Sequence, residues 1–405
     1  MTERFADSAY WARQRERIGG DAGVTNFNTG TCGPTPRSVQ QLTAELRDRQ
    51  SNSPSDFFWR QLPPRLVYAR RRLAEYLNVD QQDLLLLSNV TIALNMAVAA
   101  LDFPPGSEIV TSDHEYGAMR LMLMDYAKRK DWTLRIAKLP LGSGDPAEYV
   151  SAFANLVNEK TRLVFFSHVT SPTGILLPAK ELCRLAAEAG ALSMVDGAHG
   201  PGSLALDLED LGADFYGANC HKWLMAPLGA GFLHMKREHR DRVPPLITSW
   251  GWGYDPAKTD VDSGWGGSYW SRNLEFHGTQ DRCAQMVLPE VLDFRASIGD
   301  ADARRRQRYL ATQLRIKLAC VGLQPSTPDD ERLTVGLTAF HVPNVDVLKA
   351  RDYLWNTFRI EAPITTAAGK CFWRFCTAWF NTEAEIDRAA EAAVSMPWEK
   401  FRFDA

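Results

Sequence analysis

The sequence predicts an α/β protein in which a large domain with a mostly parallel central sheet flanked by helices is followed by a smaller α+β domain. Three observations carry this. Between about Leu84 and Met235, short apolar runs alternate with longer amphipathic stretches, the pattern of strands and crossover helices. A stretch rich in glycine and aromatic residues, 249–273, then interrupts the rhythm. Beyond it, helical and strand-like segments mix without strict alternation. Element by element, 84–88 reads as a buried strand, 91–101 as a helix, 108–112 as a strand and 116–130 as a helix. The series continues with strands at 162–168, 191–196, 214–219 and 229–235 and a helix at 179–190. After the loop-rich stretch come helices near 281–297 and 301–318, a strand at 332–340, a helix near 346–357, a strand near 371–379 and a helix near 382–395. The expected division is an N-terminal segment 1–25, a large domain 26–265 and a small domain 266–405.

Composition narrows the function classes. A chain of 405 residues with 45% hydrophobic content can bury a large core. The formal net charge of −3 comes from interspersed signs, so no nucleic acid or membrane surface is expected as a partner. Seven scattered cysteines without a CxxC pair, and a first stretch without an apolar signal segment, fit a reducing cytoplasm. No apolar run is long enough to span a bilayer.

The chemistry-bearing residues sit where strands should end, which is where open α/β sheets bind ligands. In SNVTIALN (88–95), a polar turn opens a helix whose free N–H groups suit a phosphate near Val90 and Thr91. The same residues also suit an ordinary N-cap. In SMVDGAHG (193–200), a buried strand delivers Asp196 and His199. A carboxylate there is costly unless it meets a cation, and a protonated pyridine nitrogen is one; an Asp capping a turn is the plainer alternative. In ANCHKWLMAPLGAGF (218–232), Lys222 follows a strand in a tight polar and aromatic setting. Partly desolvated there, its amine becomes a nucleophile for an aldehyde, whereas most lysines are merely solvated.

Together, DGAH, HKW and SHVTSPTG resemble the class V aminotransferase family of fold-type I pyridoxal 5′-phosphate (PLP) enzymes, in their isopenicillin N epimerase-like branch. The likeness runs from NFNTGTCGPTP (26–36) through SDFFWRQL (55–62) to LEFHGTQD (274–281) and WRFCTAWFNTEAEID (373–387). It implies an aspartate aminotransferase-like fold with the cofactor in the large domain. Lys222 would hold PLP as a Schiff base and shuttle the substrate Cα proton, Asp196 would pair with the ring nitrogen and His199 would support the ring edge. His114 would stack on the ring face, with Tyr116 as a second candidate, and Ser171 would contact the ring hydroxyl. Val90, Thr91, Asn219 and His221 would hold the phosphate. Thr279 would reach the phosphate of a second subunit, which implies a homodimer with a shared active site. Arg374, with Asn28, would bind the substrate carboxylate. A strand-surface arginine is the alternative for Arg374.

What the resemblance implies about outcome stays open among epimerisation, transamination and a lyase reaction, β-eliminating or decarboxylating, on an amino acid or cysteine S-conjugate from natural-product chemistry. An epimerase needs a proton donor opposite Lys222, and His114, Tyr116 or water are the candidates. The stretch 361–370 lacks the cysteine of persulfide-forming relatives, while Cys220, Cys371 and Cys376 read as packing residues. Trp250, Trp252, Tyr254, Trp265, Tyr269 and Trp270 suit either a wide substrate pocket or a subunit interface. A non-catalytic PLP-binding regulator is disfavoured, because Lys222 and Arg374 are both present.

Overall fold

The protein is described by a computed structural model covering residues 3–402. Its central sheet has seven strands: β1 (Leu84–Leu87), β2 (Glu108–Ser112), β3 (Thr133–Ala137), β4 (Thr161–Ser167), β5 (Leu192–Asp196), β6 (Phe215–Asn219) and β7 (Gly231–Met235). Their spatial order is β1-β7-β6-β5-β4-β2-β3. Every neighbouring pair is parallel except those made by β7, which runs antiparallel to both β1 and β6.

The apolar runs are continuous because both faces of this sheet are covered. Side chains alternate between two cores. Leu84, Leu86, Val110, Val164, Phe166, Val195 and Phe232 join one cluster with the helices Arg37–Asn52, Leu62–Leu77 and Ala179–Glu188. Leu85, Leu87, Ile109, Phe165, Met194, Phe215 and Leu233 join the other with Val90–Ala99 and Gly117–Lys130. The period of two along each strand therefore separates the layers.

The edge strand β1 is closed by charge rather than by another strand. Glu275 accepts the Leu86 N–H at 2.7 Å, Arg70 donates to the Leu84 carbonyl at 2.6 Å, and Arg282 donates to that of Leu86 at 3.3 Å. Arg70 and Arg282 both pair with the Glu275 carboxylate, and all three are buried. Free ladder groups are thereby satisfied and unavailable to another sheet.

The second sheet contains β8 (Leu337–Val342), β9 (Ile364–Ala367) and β10 (Lys370–Cys376), antiparallel in the order β9-β10-β8. It packs with the helices Asp300–Cys320, Val347–Phe358 and Glu383–Ser395 around Phe340, Trp373 and Phe375. The last helix starts with a capping box between Thr382 and Glu385. A two-residue bridge, Thr25–Asn26 with Ile360–Glu361, and a contact of Asn28 with Cys376 tie the N-terminal segment to this sheet. No helix among the described residues is long and apolar enough to cross a membrane.

Several elements differ from the sequence expectation. The helices Arg37–Asn52 and Leu62–Leu77 were not among the sequence expectations, whose elements begin at 84. Proline is tolerated in a first helical turn, where its missing N–H has no partner to lose, and Pro63 lies there. Strand β3 was hidden by its half-exposed, partly charged residues at the sheet edge. The run expected as a strand from 332 begins with a short 3₁₀ turn, where the Asp330 carboxylate accepts the Arg332 N–H, and becomes a strand only at Leu337. The stretch 361–370 is mostly a hairpin rather than a loop, turning through Ala368 (φ 48°) and Gly369 (φ 74°).

Glu275→Ala leaves two guanidinium groups buried without their shared carboxylate. It should destabilise the protein by roughly 3–5 kcal/mol. Chemical denaturation measures this, and a loss below about 1 kcal/mol would show that the cluster is not what closes the edge.

Candidate active site

Two neighbouring parallel strands, β5 and β6, end at one edge of the central sheet and supply the site's polar core. Asp196 is the last residue of β5 and is buried. Its Oδ1 accepts the Ala198 N–H at 2.9 Å, its only hydrogen bond among the described residues. Burial raises its pKa, opposed by that N–H and by the charge of Lys222. His199 follows in the same turn, and β6 leads through Asn219 to His221 and Lys222.

Lys222 has no carboxylate within ion-pair distance among the described residues. Its Nζ lies 3.4 Å from His199 Nε2. Burial pushes its pKa down from 10.5 to about 8, with Asp196 opposing and Arg374 assisting. Trp223 Nε1 donates to His199 Nδ1 at 3.1 Å, and an indole can only donate. The proton of a neutral His199 therefore sits on Nε2, facing the lysine. Burial, with Lys222 and Arg374 adding to it, holds the His199 pKa well below its usual value, so the ring is neutral. The arrangement suits an amine that is ready to lose its proton.

Arg374, on β10, brings the second sheet to the same place. Its Nη1 donates to the Ser171 carbonyl at 2.8 Å and to Ser171 Oγ at 3.1 Å, while Nη2 donates to Asn28 Oδ1 at 3.2 Å. Asn28 is held in turn by Glu361 at 2.8 Å. The segment 28–33 can pass this close only because it is small. A Cβ on Gly30 would lie 2.7 Å from Cys376 Sγ and 3.2 Å from His199 Cε1, and one on Gly33 would strike the Lys222 carbonyl oxygen. The Gly33 N–H donates to the His221 carbonyl at 2.8 Å, which pins the segment to the lysine turn.

At the start of the helix Val90–Ala99, the free N–H groups are partly used by the protein itself. Val90 donates to Asn219 Oδ1 at 2.9 Å, and Ile92 to Asn89 Oδ1 at 3.0 Å. Thr91 is exposed between them and keeps its hydroxyl and N–H for a ligand. His221 Nδ1 is buried without a partner, and burial lowers its pKa to about 4.

His114 lies fully buried after β2, with Nδ1 3.3 Å from Thr173 Oγ1 and Nε2 unpartnered. Burial lowers its pKa, although Asp113 opposes this. Tyr116, two residues on, is exposed and precedes the next helix. Thr279 is exposed in a separate cleft of about 240 Å³ with Phe57, Phe58 and Arg282.

The structure thus groups Lys222, His199, Asp196, Arg374, Asn28 and Ser171, and links Val90 to Asn219. It sets Tyr116 and Thr279 at the surface. Sequence reasoning missed Trp223, Thr173, Gly30 and Gly33; the runs NTGTCGP, SHVTSPTG and HKW that contain them were the only hints. Cys220, Cys371 and Cys376 are all buried in cores, and Cys376 also lies against Gly30, where it feels Arg374 and Lys222. Of the aromatic residues, Trp270 is core, Trp265 packs with Phe58, Trp59 and Phe276, and Trp250 and Trp252 are exposed.

Residues 24–388 match the family model described as aminotransferase class-V. The chain is 40% identical over 388 residues to the isopenicillin N epimerase of Amycolatopsis lactamdurans, spanning 94% of this chain and 97% of that protein. It is 26% identical over 370 residues to a probable chloroplastic L-cysteine desulfhydrase of Arabidopsis thaliana, spanning 85% and 75%. Among solved structures, a C-DES mutant with glycine covalently linked to its PLP cofactor superposes with a TM-score of 0.80 at 25% identity, over 94% and 99% of the two chains. The residues present fit that cofactor: an amine and a carboxylate that sense each other without pairing, with an unpartnered imidazole nitrogen on His114 and another on His221.

Two outcomes follow from the lysine turn. Burial disfavours the charged amine, so capture of added PLP by the apoprotein should quicken as pH rises through about 8 and level off above it. Stopped-flow absorbance follows this, and a rate still climbing towards pH 10 would contradict the depressed pKa. Gly33→Ala should displace Lys222 and lower PLP retention at least tenfold by equilibrium dialysis; unchanged retention would show that the close approach is dispensable.

Proposed function

The chain belongs to the class V aminotransferase family, and on that premise we propose that it moves the Cα proton of a bulky or peptide-like amino acid, in an isopenicillin N epimerase-like or aminotransferase-like reaction. It is a PLP-dependent enzyme acting at Cα of an amino-acid substrate. The observation that carries the finer reading is a part-buried lysine without a carboxylate partner among the described residues, within electrostatic reach of a two-pronged arginine, in a chain 40% identical to an epimerase.

When bound, PLP supplies an electron sink that acidifies the hydrogen on an attached amino acid's Cα. Asp196 would hold the ring nitrogen and His199, with its Nε2–H, the ring edge. Thr91, Val90, Asn219 and His221 would hold the phosphate, Thr91 and His221 with their free groups and the Val90–Asn219 pair as the frame. Ser171 would meet the ring hydroxyl.

Arg374 would bind the substrate carboxylate by exchanging the Ser171 and Asn28 oxygens for its two oxygens, which leaves the guanidinium charge compensated. That grip orients the Cα–H bond towards Lys222, whose neutral amine takes the proton at Nζ. We assign the return of a proton from the other side to His114, and keep Tyr116 as the alternative. Thr279, exposed in its own cleft, would serve a second subunit of a homodimer. The reading includes a cytoplasmic location and the division at 26–265 and 266–405.

A lyase reaction is the second reading, supported by the likeness to the desulfhydrase. Incubation with a panel of L-amino acids and small peptides bearing a free α-amino acid group, in deuterated water, separates the two. The proposal expects deuterium at Cα with inverted configuration, or a keto acid formed with transfer of the amino group; a β-elimination yields a keto acid with free ammonia. Lys222→Ala should abolish all of these. Arg374→Lys, which keeps the charge and loses the fork, should lower kcat/KM roughly 10- to 100-fold, the worth of hydrogen bonds to a charged group. Exchange that survives in Lys222→Ala would overturn the reading.

A further inference from the structure

Glu115 follows His114, and its carboxyl group is turned into the protein beneath the site. The side chain is buried. Ser112, at the end of β2, donates to Oε1 at 2.5 Å, and Ser167, at the end of β4, donates to Oε2 at 2.6 Å. Ser167 is the register partner of Asp196 on the neighbouring strand β5, so two buried carboxyl groups share one corner of the sheet.

The groups around this corner leave Glu115 without a cation. From β2 and its loop come Ser112, Asp113 and the neutral His114. From β4 and the residue after it come Ser167 and His168, the latter with Nδ1 paired to Tyr216 Oη of β6 at 3.0 Å and its pKa held by burial at about 4. From β5 comes Asp196. The nearby cation, Lys222, acts on Asp196. Two buried carboxylates with one compensating charge between them are costly, so one keeps its proton. Burial, with Asp196 adding to it and the serine hydroxyls opposing, raises the Glu115 pKa to about 7.

We propose that Glu115 is a positioning residue that holds a proton, so that the corner carries a single negative charge on Asp196, and that its ionisation adds a second charge behind the cofactor ring. The inference rests on the assignment of Asp196 to the ring nitrogen. The sign follows from electrostatics. Below the transition, Glu115 is neutral and Asp196 alone faces the ring. Above it, the added negative charge favours the protonated ring nitrogen and the protonated form of the lysine linkage, and so shifts any cofactor titration to higher pH.

The test uses the holoenzyme and two readouts. Infrared difference spectra between pH 5.5 and 8.5 should show a protonated carboxyl stretch that disappears with a midpoint near 7 in the wild type. Glu115→Gln, which preserves shape and can still bond both serines, should lack that band. Ser167→Ala, which removes one stabilising hydroxyl, should move the midpoint upwards. In parallel, the pH titration of the cofactor's visible band should shift to lower pH in Glu115→Gln, which a merely structural tie would leave in place. A wild-type spectrum identical to that of Glu115→Gln, or a visible titration that does not move, would overturn the proposal. A preparation with no visible band contradicts the cofactor assignment instead, and the infrared band still decides whether Glu115 holds a proton.

Discussion

A part-buried amine and a buried carboxylate that sense each other without touching set the terms for the rest of this site. Lys222 and Asp196 come from adjacent strands, and each lowers the other's cost of burial, yet no ion pair joins them. Had they closed into a salt bridge, the lysine would be charged and its nucleophilicity lost. The fold holds them apart through the turn that carries Lys222, the neutral His199 oriented by Trp223, and the glycine segment pressed against both. On the proposed assignment, a group with a ring nitrogen for Asp196 and an aldehyde for Lys222 would compensate this charge separation.

Closure of the site is shared between two sheets. Arg374 belongs to the smaller sheet, but its guanidinium donates to Ser171 after β4 and to Asn28 of the N-terminal segment. A substrate carboxylate that displaces these oxygens therefore reports on both parts of the molecule at once. On the proposed reading, Arg374 would hold a substrate carboxylate with a rigid fork, so small shifts between the sheets would change the direction in which Cα–H is presented. The buried Glu275 cluster plays the corresponding role at the opposite edge, where it fixes strand β1 against its helices.

The sequence was most informative where chemistry and secondary structure coincide. Asp196 and Lys222 stood out because polar residues close long apolar runs, and they lie at neighbouring strand ends. The alternation of strands and helices from 84 to 235 was legible because both faces of the sheet are buried. Less legible were features decided by contacts remote in sequence. Nothing in the run LRIAK marks β3 as an edge strand, and nothing in SNVT tells that Val90 would be held by Asn219. Nothing in SDHEYGA sets Glu115 apart, since Ser112 and Ser167, which enclose it, sit at the ends of two different strands. Tyr116 and Thr279 show the opposite limit, since motif likeness gives a role while the single chain places both at its surface.

The central claim is that Lys222 alone, of all lysines in the chain, carries the cofactor. Reduction of the PLP-loaded protein with borohydride, followed by peptide mapping, tests it most directly. The account predicts one pyridoxyl group per chain, on the peptide containing His221, Lys222 and Trp223. A label on another lysine, or none after loading, would contradict it.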